Sequence, residues 1–440
     1  MSAGKLERYA AYKDSGVEWL GEVPSHWSLT RNKDIFFERG SLSQSGDETL
    51  LTVSHITGVT RRSEKNVNMF MAETMEGYKH CKAGDLIINT MWAWMGALGT
   101  AREDGICSPA YGVYAPRKRV PYSHGYFDYL YRTPNAVSEM TRNSKGIVSS
   151  RLRLYPKDFF QILTAVPNHK EQTAIAAYLD KKTAQIDREI DLLSQKATQY
   201  GKLKQSLISE AVTRGLDKSA SLKDSGVEWV GHVPEHWAVK RIKEFASIVN
   251  GATPKSNVAE NWDGDLPWVT TDDLGKLSGK FITATKRKLT VIGYASCGTT
   301  ICPAGSVVIS GRAPIGHLGI LTINASTNQG CKTLVINHRR ASNLFIFFSL
   351  MAAKSKLEAL GRGTTFIELS TKELGLFNLA FPPLEEQQVI AAYLDKRTSR
   401  MDRIVDTINS QIEKLKDLRK ALINDVVTGK IKVVSEGQAT

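Results

Sequence analysis

Apolar side chains recur every seven positions along two stretches of the chain. In residues 167–218 the stripe is Leu179, Ile186, Leu193, Tyr200 and Leu207, with Thr183, Ile190, Ala197 and Ala211 filling most companion positions. In residues 382–440 it is Leu394, Met401, Ile408, Leu415 and Leu422, accompanied by Val405, Ile412 and Val426. A seven-residue period held over five heptads predicts helices packed as a coiled coil, and two such seams in one chain are expected to pair. Pro167 and Pro382-Pro383 stand where a missing N–H costs nothing, and Glu171 and Glu385-Glu386 stand where the helix dipole favours negative charge. Gly215 and Gly429 follow the last apolar positions and suit left-handed caps. About 45 residues at 1.5 Å each give rods of about 65 Å.

Elsewhere the period shortens. Brief β-branched runs at residues 50–53, 85–89, 112–115, 266–270, 306–310, 318–323 and 332–336, separated by Gly, Pro and Asn, predict strands. Residues 126–141 and 343–360 predict helices. The chain also repeats itself. Residues 13–27 (KDSGVEWLGEVPSHW) and 223–237 (KDSGVEWVGHVPEHW) share 12 of 15 positions at an offset of 210. Residues 175–188 and 390–403 share 10 of 14 at an offset of 215. A period above 200 residues is too long for a solenoid and reads as a duplication with pseudo-two-fold organisation. The expected division is a first α/β domain at 1–166, a helical spacer at 167–218, a second α/β domain at 219–381 and a second spacer at 382–440.

With 440 residues and 42% hydrophobic composition the chain can build more than one core. No run of 18 apolar residues and no signal-peptide pattern appears, so a cytoplasmic protein with no membrane partner is expected. Five scattered cysteines, without finger spacing to histidine, predict reduced thiols and no metal site. The net charge of +13 favours a polyanionic partner. Residues 168–218 hold nine basic against seven acidic side chains and residues 383–434 ten against eight, which leaves +9 for the rest of the chain. Near-neutral helices suit protein contacts, whereas basic domains suit phosphate.

No G-x-G-x-x-G follows a strand, residues 275–281 (GKLSGKF) lack phosphate-loop spacing, and Pro382-Pro383 is followed by Leu384 rather than an aromatic. The candidate chemistry is therefore recognition. Loops that combine glycine with basic, amide or aromatic residues supply Trp92, Trp94, Arg102, Ser149, Ser150 and Arg151 in the first domain. In the second they supply Thr270, Thr271, Arg312, Asn328, Gln329, Arg362, Thr364 and Thr365. Arginine is suited to guanine and asparagine or glutamine to adenine in the major groove of duplex DNA. A stand-alone nuclease or methyltransferase with a diverged site is the rival reading, and a coiled-coil scaffold without a DNA role is a third.

The repeated Ser-Gly-Val-Glu-Trp heads at 15–19 and 225–229, the Pro-Pro-Leu-Glu-Glu-Gln helix start at 382–387, the Ala-Tyr-Leu-Asp blocks and Asn328-Gln329-Gly330 resemble the specificity subunits of type I restriction-modification enzymes, over nearly the whole chain. The resemblance implies an α+β architecture: two α/β target-recognition domains joined by two long antiparallel coiled-coil helices. It implies a non-catalytic, sequence-specific DNA-binding subunit in which each domain reads half of a bipartite target and the helices set the spacing. It also implies two modification (methyltransferase) subunits and restriction (translocase/endonuclease) subunits as partners. No cofactor is expected on this chain; S-adenosylmethionine, ATP and magnesium belong to those partners. Where the second copy has Asn328-Gln329-Gly330 the first has Ser108-Pro109-Ala110, so the half-sites are expected to differ.

Overall fold

The computed structural model describes residues 7–65, 74–148, 151–362 and 367–433. Two compact units partition the chain: Met1–Leu193 with Ser410–Thr440, and Ser194–Asn409. Each unit holds one mixed α/β domain, the first half of the long helix that follows that domain, and the last half of the other long helix. The long helices run His169–Arg214 (46 residues) and Leu384–Val427 (44 residues).

In the first unit, β1 (Phe36–Glu38), β2 (Leu86–Asn89), β3 (Leu98–Thr100) and β4 (Tyr111–Pro116) form an antiparallel sheet in the order β1-β4-β2-β3. Leu86, Ile87 and Ile88 are buried on both faces of the sheet, which is why this run reads as continuously apolar instead of alternating. In the second unit, β5 (Ala246–Asn250), β6 (Val307–Ser310), β7 (Leu318–Leu321) and β8 (Cys331–Ile336) repeat the order as β5-β8-β6-β7, with the two-residue strand Phe281–Ile282 added in parallel beyond β7. The register repeats too: Tyr111 lies opposite Asn89, and Cys331 opposite Ser310. The two halves keep one topology with little residue identity because burial and turn placement set the sheet.

All seven expected strands form, with boundaries moved by a few residues. The two expected domain helices are each broken. Residues 126–141 fall into α1 (His124–Tyr131) and α2 (Pro134–Arg142), because Pro134 forces Thr133 into an extended conformation and Thr133 then caps the new helix through Ala136 N. Residues 343–360 fall into α4 (Asn343–Ala352) and α5 (Lys354–Ala359), following a short α3 at Thr271–Gly275 earlier in the chain. Ala353, at φ −82° and ψ 2°, closes one helix and opens the next.

The seven-residue stripes lie where their period puts them. Leu179, Ile186, Leu394 and Ile408 are buried, and Leu193, Tyr200, Leu207, Met401, Leu415 and Leu422 are half-buried. Within the first unit, Ile175 and Leu179 share a core with Val426 and Val427, and Asp187 pairs with Arg419 at 3.0 Å. Within the second, Ile208, Ala211 and Val212 share a core with Ile390, Ala391 and Leu394, and Lys204 pairs with Asp402 at 2.6 Å. In both units one helix segment descends as the other ascends.

The repeated heads explain how each helix start is fixed to its domain. Trp27 is fully buried and donates its indole N–H to Glu171 Oε1 at 3.0 Å, while His26 Nε2 lies 3.0 Å from Glu171 Oε2. Trp237 and His236 engage Glu386 in the same way, at 3.1 and 2.9 Å. The next residue works the other side: Gln172 accepts from Ser123 N and donates to Pro121 O and Pro167 O, and Gln387 accepts from Ser342 N and donates to Arg340 O and Pro382 O. The incoming end of the other helix closes the joint. Gly429 (φ +79°) lies against Pro24 and Trp27 so closely that a Cβ would sit 2.3 Å from Pro24 Cδ, and Gly215 (φ +76°) lies against Trp237. The tryptophan of each duplicated head, the glutamate and glutamine of the helix start and the glycine that ends the other helix thus form one joint, built twice.

Candidate nucleic-acid interface

In the second unit most of the sequence candidates converge on one end of the sheet. β6 and β8 are antiparallel, so the loop leaving β6 and the loop entering β8 meet: Gly311 N donates to Gly330 O at 2.7 Å. Arg312 follows in the first loop and Asn328-Gln329 stand in the second. Asn328 shapes its own turn by accepting Gly330 N through Oδ1 at 3.1 Å, and Thr253 donates its hydroxyl to Gln329 Oε1. Thr270 caps α3 through a reciprocal box with Asp273. That role is structural, and it places half-buried Thr271, the first residue of α3, against Gly330.

A short hairpin docks on the same end. Arg362 and Glu368 exchange backbone hydrogen bonds of 3.1 and 3.0 Å, and Leu369 N donates to Gly311 O at 2.8 Å. Thr364 and Thr365 lie outside the described residues. Arg362 is exposed and its Nε pairs with Glu373 at 2.9 Å, in α6 (Thr371–Leu376). Glu368 collects two cations: Arg312 Nε at 3.0 Å and Lys332 Nζ at 3.4 Å. Lys332 is nearly sealed from solvent, with a side chain 6% exposed, and also donates to Asn250 Oδ1 at 3.2 Å, an oxygen that accepts the Thr371 hydroxyl as well. Burial pushes the Glu368 carboxyl up, but the hydrogen bond and charge of Arg312, together with Lys332, bring it below the ordinary glutamate value.

The first unit builds the same end from different side chains. Lys145 and Arg153 exchange backbone bonds of 2.9 Å, and Leu154 N donates to Thr90 O at 3.0 Å, so this hairpin docks where its counterpart does. Ser149 and Ser150 lie outside the described residues. Lys145, Arg151 and Arg153 are exposed, and none is ion-paired among the described residues. Trp92 is 48% exposed on the neighbouring loop, whereas Trp94 is turned in, its indole N–H bonded to Met91 O at 3.0 Å. Tyr111 N bonds to Ser108 O as Cys331 N bonds to Asn328 O, so the turn entering the strand is common to both units. Arg102 stands apart: it follows β3 at the other end of the β2–β3 hairpin from the tryptophan loop, beside the Arg61–Glu103 pair.

Among the described residues no group of His, Cys, Asp and Glu could hold a metal ion, and no helix is long and apolar enough to cross a membrane. Lys332, Glu368 and Asn250 were not among the sequence candidates. A lysine inside a strand whose other positions are cysteine, threonine and aliphatic residues was the available signal for the first of them.

Residues 234–414 match the family model of the type I restriction modification DNA specificity domain. The specificity subunit of the type I restriction enzyme MjaIX from Methanocaldococcus jannaschii is 30% identical over 197 residues, covering 44% of this chain and 45% of that protein. The chain spans about half the length of the curated relatives it matches. Among solved structures, a chain from a study of complex assembly and conformational transition in the type I R-M system superposes with a TM-score of 0.70 at 17% identity, covering 92% of this chain and 98% of its own. The HsdS subunit from Thermoanaerobacter tengcongensis superposes with a TM-score of 0.55 at 17% identity, over 93% and 98%.

Proposed function

We propose that this chain is a type I restriction-modification specificity subunit, which recognises duplex DNA and confers target choice on a modification complex without performing chemistry itself. The observation that carries the reading is the gathering of Arg312, Asn328, Gln329, Thr271 and the paired Arg362 and Glu368 at one end of the second sheet. These side chains supply the fork donors and amide pairs that base edges in a major groove require. The matching end of the first unit, with unpaired Lys145, Arg151 and Arg153 beside exposed Trp92, suits backbone phosphate and a different half-site. Each domain reads one half of a bipartite target. The length of the paired helices sets the number of unread base pairs between the halves, and the duplicated joints and outer helix faces dock two modification subunits. Restriction subunits complete the assembly, and S-adenosylmethionine, ATP and magnesium bind to the partners.

Fluorescence anisotropy of the purified chain on labelled duplexes tests the reading. Affinity should fall steeply with salt, by the counterion release that accompanies neutralised phosphates. Absence of binding, or DNA cleavage or methylation by the chain alone with magnesium or S-adenosylmethionine, would count against it. In the assembled complex, one helical turn inserted within residues 190–200 should change the gap between the methylated half-sites; an unchanged gap removes the spacer role.

A further inference from the structure

We infer that Glu368 is a positioning residue that aims Arg312 at a guanine in the half-site read by the second unit. The inference rests on the proposed DNA-binding role of this end of the sheet. Arg312 uses only its Nε on Glu368 Oε2, and its two terminal nitrogens have no partner among the described residues. The side chain remains 42% exposed. A guanidinium held through Nε keeps its plane fixed and presents both terminal N–H groups end-on, the arrangement that matches guanine O6 and N7. An unheld arginine must give up its rotamer freedom on binding, so the carboxylate spends that entropy in advance.

Glu368 is itself held. Its Oε1 faces Lys332 Nζ, which is anchored on Asn250, and its backbone is locked between Arg362 and, through Leu369, Gly311. Every part of this device is missing from the first unit. By strand register and hairpin position, Met91 stands where Arg312 does, Gly112 where Lys332 does, and Arg153 where Glu368 does. The buttressed arginine therefore belongs to one half-site only, and the other half serves as an internal control.

The test is selection of bound sequences from a randomised duplex pool by the full chain, wild type and Arg312→Ala, Arg312→Lys and Glu368→Gln variants. The wild type should select a G·C pair in one half-site. Arg312→Ala and Arg312→Lys should lose preference at that pair alone, and Glu368→Gln should weaken discrimination there by about tenfold while the other half-site is unchanged. A merely structural role for Glu368 would lower affinity for all sequences alike. Unchanged preference in Glu368→Gln, or a guanine that survives Arg312→Ala, overturns the inference while leaving DNA recognition standing; a wild-type chain that selects no sequence overturns both.

Discussion

Glu171 and Glu386 occupy equivalent joints but carry unequal burdens. Both accept the indole N–H of a buried tryptophan and face an exposed histidine. Glu171 also accepts the hydroxyl of half-buried Tyr9 at 2.5 Å. Burial pushes the Tyr9 hydroxyl far above its ordinary pKa, and the bond to Glu171 adds to the shift, so the phenol keeps its proton and remains the donor. At the offset of the repeat, Tyr9 corresponds to Ser219, whose hydroxyl turns to Asp217. Replacing either glutamate with alanine strands a buried indole N–H, a cost of about 1–3 kcal/mol. Glu171→Ala also removes the partner of Tyr9, which adds about 1 kcal/mol. Glu171→Ala should therefore destabilise the first unit by about 2–4 kcal/mol, roughly 1 kcal/mol more than Glu386→Ala destabilises the second. Urea denaturation followed by tryptophan fluorescence measures both. A double-mutant cycle with Tyr9→Phe should return a coupling of about 1 kcal/mol. Equal costs for the two alanine variants, with Tyr9→Phe adding in full to Glu171→Ala, would refute this account of the joint.

Reversing one charge of the Lys204–Asp402 pair, with side chains 27% and 51% exposed, should lower stability by about 0.5–1 kcal/mol at low salt, and Lys204→Glu with Asp402→Lys should restore it in calorimetry. Hydrogen bonds from Ser43, then His80, hold the Glu48 carboxyl down at about 2. A folded-state pKa below the unfolded one stabilises above the unfolded value and loses that contribution as pH falls toward 2, so carboxyl NMR should show a Glu48 midpoint near 2, and a midpoint near 4 contradicts the geometry. Arg151→Ala should reduce the salt slope of DNA binding by about one, while Arg102→Ala, at the far end of its hairpin, should leave the slope almost unchanged; the reverse order would contradict the DNA-binding end proposed for the first unit.

The strands and the long helices were legible because each depends on a period that the sequence displays directly. The break at Pro134 was also written in the sequence, since a proline disfavours helix in the residue before it. The break at Ala353 was not, for nothing in Met351-Ala352-Ala353-Lys354 opposes a continuous helix. The duplicated blocks were visible as text, but their purpose emerged only when Trp27 met Glu171 and Trp237 met Glu386 across about 145 residues of chain. Arg312 was an evident candidate. Its partner Glu368 was not, because the pair spans 56 positions and Glu368 stands in a hairpin whose charges differ between the copies.

The most direct measurement is a hydroxyl-radical footprint of the full chain on a duplex it selects. Two separate protected patches with an accessible run between them, only one of them weakened by Arg312→Ala, is the pattern expected if two unlike domains each read one half of the target. One continuous protected stretch, or two patches that weaken together, would contradict it.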